Sequence, residues 1–293
     1  MAKVVRTRGG NQQEIVKLIN RLDGKYSKWH IWNDFILMFA TSIANVFPSP
    51  HREHREKLYM ETAKKYSKGE LDIMAEMMAL VVTGMEDNPD QDFLGELYMC
   101  MDMGNQWTGQ FFTPYDVCKA MSLMSYSDGV IESQVQDRGF VGVSDPACGA
   151  GALLIAFANV CREKKLNYQQ HCLFIAQDID QLAGMMCYIQ LSLMGCAGHV
   201  IVDNTLVKPA QFYDERALLP VDGTNVWTTP MMYSETWQIR QIAARMALLT
   251  GRLGTASDTV IEKLTAPAVK EPEPAPVVIP ELKADETGQL SLF

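Results

Sequence analysis

The chain lacks any uninterrupted apolar stretch long enough to cross a bilayer; its longest, Phe35 to Phe47, is broken by Thr41, Ser42 and Asn45. No charged-then-apolar segment opens it, which argues against secretion and for a cytoplasmic location. It has no Cys-x-x-Cys pair, and its seven cysteines are an odd set, fitting reduced thiols rather than a disulfide framework. A metal-ligand pattern is also missing. His51 and His54 stand three apart in His-Arg-Glu-His, without the HExxH order or an evident third ligand, so they are expected on a charged helix or turn surface and no metal is expected. Positive charge is scarce overall, giving a net charge of −9, which taken alone argues against a nucleic-acid partner. Its distribution argues otherwise. Residues 1–68 hold 13 of the 26 Lys and Arg against 6 acidic residues, making this part +7 and the rest −16.

What is present falls into three regions. Residues 10 to about 95 read as helical: Ile15, Leu18, Ile19 and Leu22 keep helical spacing, and Leu71–Val82 is rich in Met, Leu and Ala. Trp29 and Trp32 are expected to form a buried aromatic pair, and the methionines an adaptable core or helix interface. The next region alternates strand and helix signals, with candidate strands at Phe140–Ser144, Cys172–Ala176, Val200–Val202 and Asn225–Thr228, and candidate helices at Ala152–Lys165 and Gln181–Met194. Such alternation predicts a mostly parallel sheet covered by helices. From about Ala266, Pro267, Pro272, Pro274, Pro276 and Pro280 lie among Glu, Lys and Ala, a composition that cannot pack a core. The expected organisation is α/β: a helical domain over 1–95, a Rossmann-like domain over 96–255, a disordered Pro-rich linker over 256–288, and an apolar tip over 289–293.

The centre of the chain carries the most chemistry. A β-like run, Phe140 to Val143, leads into Asp145-Pro146-Ala147-Cys148-Gly149-Ala150-Gly151 and then an apolar helix-like segment. A strand that ends in an acid and turns through closely spaced glycines brings bare backbone against a nucleotide-like ligand. Leu154 stands where the last glycine of GxGxxG belongs, which argues against a dinucleotide dehydrogenase. Cys148 fits the turn as a small residue and not as a nucleophile. Three further segments complete the set: Gly109-Gln110-Phe111-Phe112-Thr113-Pro114 before a helix, Gln177-Asp178-Ile179-Asp180 after the second strand, and Asp203-Asn204-Thr205-Leu206 after the third. Ligands of open α/β sheets sit at the carboxyl ends of strands, where these last two and the glycine turn fall.

Together these segments resemble the adenine-N6 DNA methyltransferases of the gamma arrangement, especially the modification subunits of type I restriction systems, over roughly residues 95–230. The resemblance implies S-adenosylmethionine as cofactor, DNA as substrate and a specificity subunit as a candidate partner. Phe112, Thr113 and Pro114 would border the methionine end. Asp145, Ala147, Gly149 and Gly151 would line the cofactor loop, Asp145 holding the ammonium directly or through water. Asp178 would accept both ribose hydroxyls, and Asn204, with Asp203 as the alternative, would meet the adenine amino group.

The chain departs from that family at its catalytic signature, Asn-Pro-Pro followed by an aromatic residue. An Asn oxygen and a backbone carbonyl there draw the adenine amine toward a nucleophilic geometry, and the aromatic ring stacks on a flipped base. No Pro-Pro pair exists here; the corresponding stretch reads Trp227-Thr228-Thr229-Pro230-Met231-Met232-Tyr233. Thr228, Thr229, Pro230 and Tyr233 are the residues expected to serve in a degenerate catalytic site. After one more helix-like segment, Ser234 to about Leu253, no clear further strand follows, so the sheet is expected to be truncated. Two readings stay open: a minimal methyltransferase, or an inactive methyltransferase-like adaptor that binds DNA or the replicative sliding clamp. The tip Gln289-Leu290-Ser291-Leu292-Phe293 resembles the peptide by which bacterial proteins bind the replicative sliding clamp, with Leu and Phe filling an apolar pocket and Gln bonding at its edge.

Overall fold

A computed structural model describes residues 9–101 and 112–251, together with the backbone of 283–284 and 290–291. Five helices come first: α1 (Gly10–Leu22), α2 (Lys28–Ala44), α3 (Arg52–Ala63), α4 (Lys68–Asp87) and α5 (Phe93–Cys100). The expected periodicity is visible in α1, where Ile15, Leu18, Ile19 and Leu22 are buried on one face. Helix α4 starts with a capping box between Ser67 and Glu70. Trp32 is buried against Phe35, but Trp29 is largely exposed, so only one of the two tryptophans belongs to the core. Met74, Met77 and Met85 line the core.

The second region runs α6 (Tyr115–Ser125), α7 (Asp128–Arg138), β1 (Val141–Asp145), α8 (Ala152–Glu163), α9 (Tyr168–His171), β2 (Cys172–Asp178), α10 (Gln181–Leu193), β3 (Ala197–Val202), β4 (Val226–Thr228), a 3-10 turn (Pro230–Tyr233) and α11 (Glu235–Leu249). The sheet order is β1-β2-β3-β4. β1, β2 and β3 are parallel, with Asp145 beside Ala176 and Asp178 beside Val202. Every residue of β2 is buried, as expected of a strand covered on both faces. Alternate residues serve the two layers. Phe174 and Ala176 join a core shared with α8, α10 and the N-terminal helices, while Leu173 and Ile175 face Trp237, Ala244 and Leu248 of α11.

β4 differs from its neighbours. It runs antiparallel to β3, pairing Val226 with Ile201, Trp227 with Val200 and Thr228 with His199. The segment between β3 and β4 is long enough to cross a sheet face and return, so it sets the direction that local strand propensity leaves open. The architecture is therefore α/β with a small mixed sheet and a helical N-terminal region. In the tail, Lys283–Ala284 (β5) pairs antiparallel with Leu290–Ser291 (β6). Among the described residues, no helix is long and apolar enough to cross a membrane.

Candidate functional site

The glycine turn after β1 is fixed by its own backbone. Gly149 and Gly151 have φ of +54° and +96°, the left-handed region that disfavours side chains. A Cβ on Gly149 would lie 3.0 Å from the Phe112 ring, and one on Gly151 would lie 2.9 Å from Cys187 Sγ. Both positions need glycine for space as well as for conformation. Gly151 N donates to Cys148 O at 2.8 Å, closing the turn, and Cys148 N donates to Gln177 O at 2.9 Å, tying it to β2.

Asp178 holds the site together. Its Oδ2 accepts from Gly149 N at 2.8 Å and its Oδ1 from Asp180 N at 2.9 Å, while its carbonyl accepts from Asp203 N at 3.0 Å. One residue thus fastens all three strand ends. A carboxylate has about four acceptor positions, and these two side-chain bonds use two of them. Asp180 accepts from Leu182 N and Ala183 N and caps α10. Asp145 Oδ1 accepts from Ala147 N at 3.1 Å. Burial is the main cause that raises the pKa of Asp145 above its ordinary value; the Ala147 hydrogen bond opposes this and the charge of Asp178 adds to it.

The third loop belongs to the same rim. Asp203 Oδ1 accepts from Asn204 N at 2.8 Å, and its Oδ2 accepts from Asn225 Nδ2 at 3.3 Å and lies 3.6 Å from Lys208 Nζ. Asn204 Oδ1 accepts from Leu206 N at 2.9 Å, and Thr205 Oγ1 donates to Pro146 O at 2.6 Å, joining this loop to the first. Phe112 reaches the turn from the segment before α6. Its ring lies 5.7 Å from that of Tyr98, Thr113 is exposed, and Pro114 starts α6. Tyr115 anchors that segment by donating to Asp90 Oδ1 at 2.6 Å. Phe112, Asp145, Ala147, Gly149, Gly151, Asp178, Asp203 and Asn204 therefore gather at the carboxyl edge of β1–β3.

Two apolar side chains at this edge escaped the sequence reasoning. Ile179 is 67% exposed and Leu206 95% exposed. An isoleucine directly after a buried carboxylate reads locally as the end of a strand, and only the fold shows that its side chain is left unshielded.

The expected catalytic group is not brought there. Because β4 is antiparallel, Thr228 and Thr229 lie beside His199 and Gly198, toward the amino end of β3, about 10 Å and about 13 Å respectively along the strand from its carboxyl edge. Thr229 is fully buried; its Oγ1 accepts from Gly198 N at 2.9 Å and donates to Cys196 O at 2.7 Å. Pro230 opens the 3-10 turn. Tyr233 stacks on Phe47 at 4.6 Å and donates to Pro48 O at 3.3 Å. Trp227 is covered by the Arg55 guanidinium at 4.5 Å, and Arg55 Nη2 donates to Val226 O at 2.8 Å. Through Phe47, Pro48 and Arg55, the residues Tyr233, Trp227 and Val226 join the helical region to the sheet.

His51 Nε2 lies 2.8 Å from Asp222 Oδ1, just before α3. Among the described residues, no group of three His, Cys, Asp or Glu side chains is placed to hold a metal. A hydrogen bond with Cys187, and then burial, raise the Cys148 thiol well above its ordinary pKa, which does not suit a nucleophile. Gln289, Leu292 and Phe293, and the side chains of Leu290 and Ser291, lie outside the described residues. The sequence model of the family described as N-6 DNA methylase matches residues 90–246, just over half of the chain. No curated protein matches, and no solved structure does.

Proposed function

The chain belongs to the N-6 DNA methylase family, and from that premise we propose that it binds S-adenosylmethionine at the carboxyl edge of β1–β3 and acts on adenine in DNA. The observation that carries this reading is the Asp178 carboxylate, anchored by Gly149 N and Asp180 N and flanked by the exposed Ile179. The residues present fit the cofactor. Two left-handed glycines leave backbone bare beside Phe112, and Asp178 retains acceptor positions for two ribose hydroxyls. Asp145 would hold the ammonium, and Ala147 would line the loop beside it. Asn204 would meet the adenine amino group through the second lone pair of Oδ1, with Asp203 as the alternative. Ile179 would cover one face of the adenine. Phe112, Thr113 and Pro114 would border the methionine end. The bound cofactor supplies an electrophilic methyl group.

A second reading is a member that binds cofactor and DNA without transferring methyl groups. It is favoured by one observation: the stretch expected to replace the Asn-Pro-Pro signature is built into the amino end of β3. Thr228, Thr229, Pro230 and Tyr233 are accordingly left out of the proposed chemistry. The C-terminal Gln289–Phe293 peptide is proposed to tether the protein to the replicative sliding clamp, and a specificity subunit is a candidate source of DNA recognition.

Modification-sensitive long-read sequencing of DNA from a methylation-free bacterium expressing the protein separates these readings. N6-methyladenine that disappears with Asp145→Ala supports an active methyltransferase. No methylation from folded, cofactor-binding protein supports the inactive reading. No methylation together with no cofactor binding contradicts both.

A further inference from the structure

The sheet face that α11 covers is not closed over β1. In the parallel register Gly142 lies beside Leu173 and Ser144 beside Ile175, so these four positions share one face. Leu173 and Ile175 are buried there with Phe140, yet the two β1 residues are small and exposed. A parallel strand covered on both faces would carry bulky apolar residues at such positions. A Cβ added at Gly142 would meet nothing within 4 Å. The space left is a cavity of about 330 Å³, whose lining includes apolar Phe140, Leu173 and Ile175 and the basic pair Arg138 and Arg216. Arg138 ends α7, and Arg216 belongs to the segment between β3 and β4. Arg216 Nη2 donates to Arg138 O, and its guanidinium lies 4.8 Å from the Phe140 ring centre. Its Nε is buried without a hydrogen-bond partner. Glu215 also lines the cavity, but among the described residues no carboxylate lies within 4.0 Å of either guanidinium. The third arginine against Phe140, Arg240, is committed to Gln170 O and Gly139 O.

We propose that this cavity binds a single nucleotide, with the phosphate on Arg138 and Arg216 and the base against the apolar lining. Guanidinium groups match phosphate oxygens through paired, charge-assisted hydrogen bonds, and a buried donor without a partner beside a cavity is what a bound anion satisfies. The two arginines are held together in a part of the chain whose net charge is strongly negative, so their charge is not a background property of that surface. Gln134, Ser144 and Glu215 supply the donors and acceptors that the polar edge of a base requires. Size narrows the ligand further. The volume lies at the low end of the range of about 300–1,000 Å³ for small-molecule sites, which admits a mononucleotide and excludes a helix. Ser144 directly precedes Asp145, so the cavity adjoins the proposed cofactor edge without sharing its residues. A free nucleotide and one nucleotide of a DNA strand offer the same chemistry here.

Isothermal titration calorimetry of the full chain with deoxycytidine monophosphate, whose base is foreign to the proposed cofactor, tests this. One-site binding is expected, and deoxycytidine without its phosphate should bind at least about tenfold more weakly. Arg138→Gln should cost at least about tenfold. Gly142→Leu should abolish binding by filling the cavity, with circular dichroism confirming that both variants are folded. Saturating S-adenosylmethionine should leave the affinity unchanged. A protein that takes the nucleotide but no S-adenosylmethionine would support this site while contradicting the cofactor reading. Displacement of the probe by a short single-stranded oligodeoxynucleotide would assign the site to DNA, and its absence to the free nucleotide. No binding up to about 1 mM, or an affinity that survives both Arg138→Gln and Gly142→Leu, would overturn the proposal.

Discussion

Among single residues, Asp178 and Thr229 show how similar polar side chains take opposite roles. Asp178 ends a parallel strand at the open edge of the sheet, where its carboxylate fastens the glycine turn and still has acceptor capacity. Thr229 lies at the other edge, with its hydroxyl already donating and accepting inside the core. Thr229→Val should therefore cost about 1–3 kcal/mol of stability by leaving Gly198 N and Cys196 O short of a partner. It should leave cofactor affinity unchanged. Urea denaturation and calorimetry on the same sample check this, and a loss of affinity in a fully folded variant would return Thr229 to the site. His199 makes a pH prediction. It is buried beside Phe212, 3.1 Å from Thr228 Oγ1, and burial lowers its pKa from 6.5 to about 4. Between those values the unfolded chain binds the proton and the folded chain does not, so stability falls as pH drops from about 6.5 toward 4. Between pH 7 and pH 5 the loss from this residue should be about 2 kcal/mol. His199→Phe should remove that part of the slope; an unchanged slope would show that another group titrates.

For whole elements, the central join is between α5, α10 and the glycine turn. Gln190 on α10 donates from Nε2 to Asp92 Oδ1 and Ala150 O, both at 2.8 Å, and accepts from Leu94 N at 3.0 Å. Burial raises the pKa of Asp92, with hydrogen bonds from Gln190 and Gly95 opposing the shift. Gln190→Leu should cost about 3 kcal/mol, because it strands several buried polar groups together. Thermal denaturation reads this directly, and a change below about 1 kcal/mol would show that the network repairs itself with water. No local pattern announced this join, since a glutamine inside an apolar helix acquires its partners only when α5 packs on it. The parallel strands were more legible. Apolar runs ending at Asp145, Asp178 and Asp203 mark the carboxyl edge because each is followed by turn chemistry and a helix or loop. The direction of β4 was not legible. Val226–Thr228 reads as a strand in either direction, and only the path of the preceding segment turns it round, carrying Thr228 and Thr229 away from the edge that their sequence position suggested. The exposure of Ile179 likewise depends on which neighbours the fold supplies.

For the molecule as a whole, the helical region and the sheet share one core that includes Ile15, Trp32, Leu97, Phe174 and Trp227. Arg55 and Tyr233 reinforce the same contact from the surface inward. The C-terminal peptide is proposed to work apart from this core. Removing Gln289–Phe293 should abolish binding to purified sliding clamp while leaving the thermal midpoint within about 1 °C. Retained clamp binding would refute that role. The central claim is that the carboxyl edge of β1–β3 is an S-adenosylmethionine site organised by Asp178. Isothermal titration calorimetry of the full chain with S-adenosylmethionine tests it most directly, comparing the unchanged protein with Asp178→Ala and with Thr229→Val. Saturable one-site binding, weakened at least about tenfold by Asp178→Ala and unaffected by Thr229→Val, is the predicted result. No binding by folded protein, or equal affinity in the Asp178→Ala variant, would contradict it.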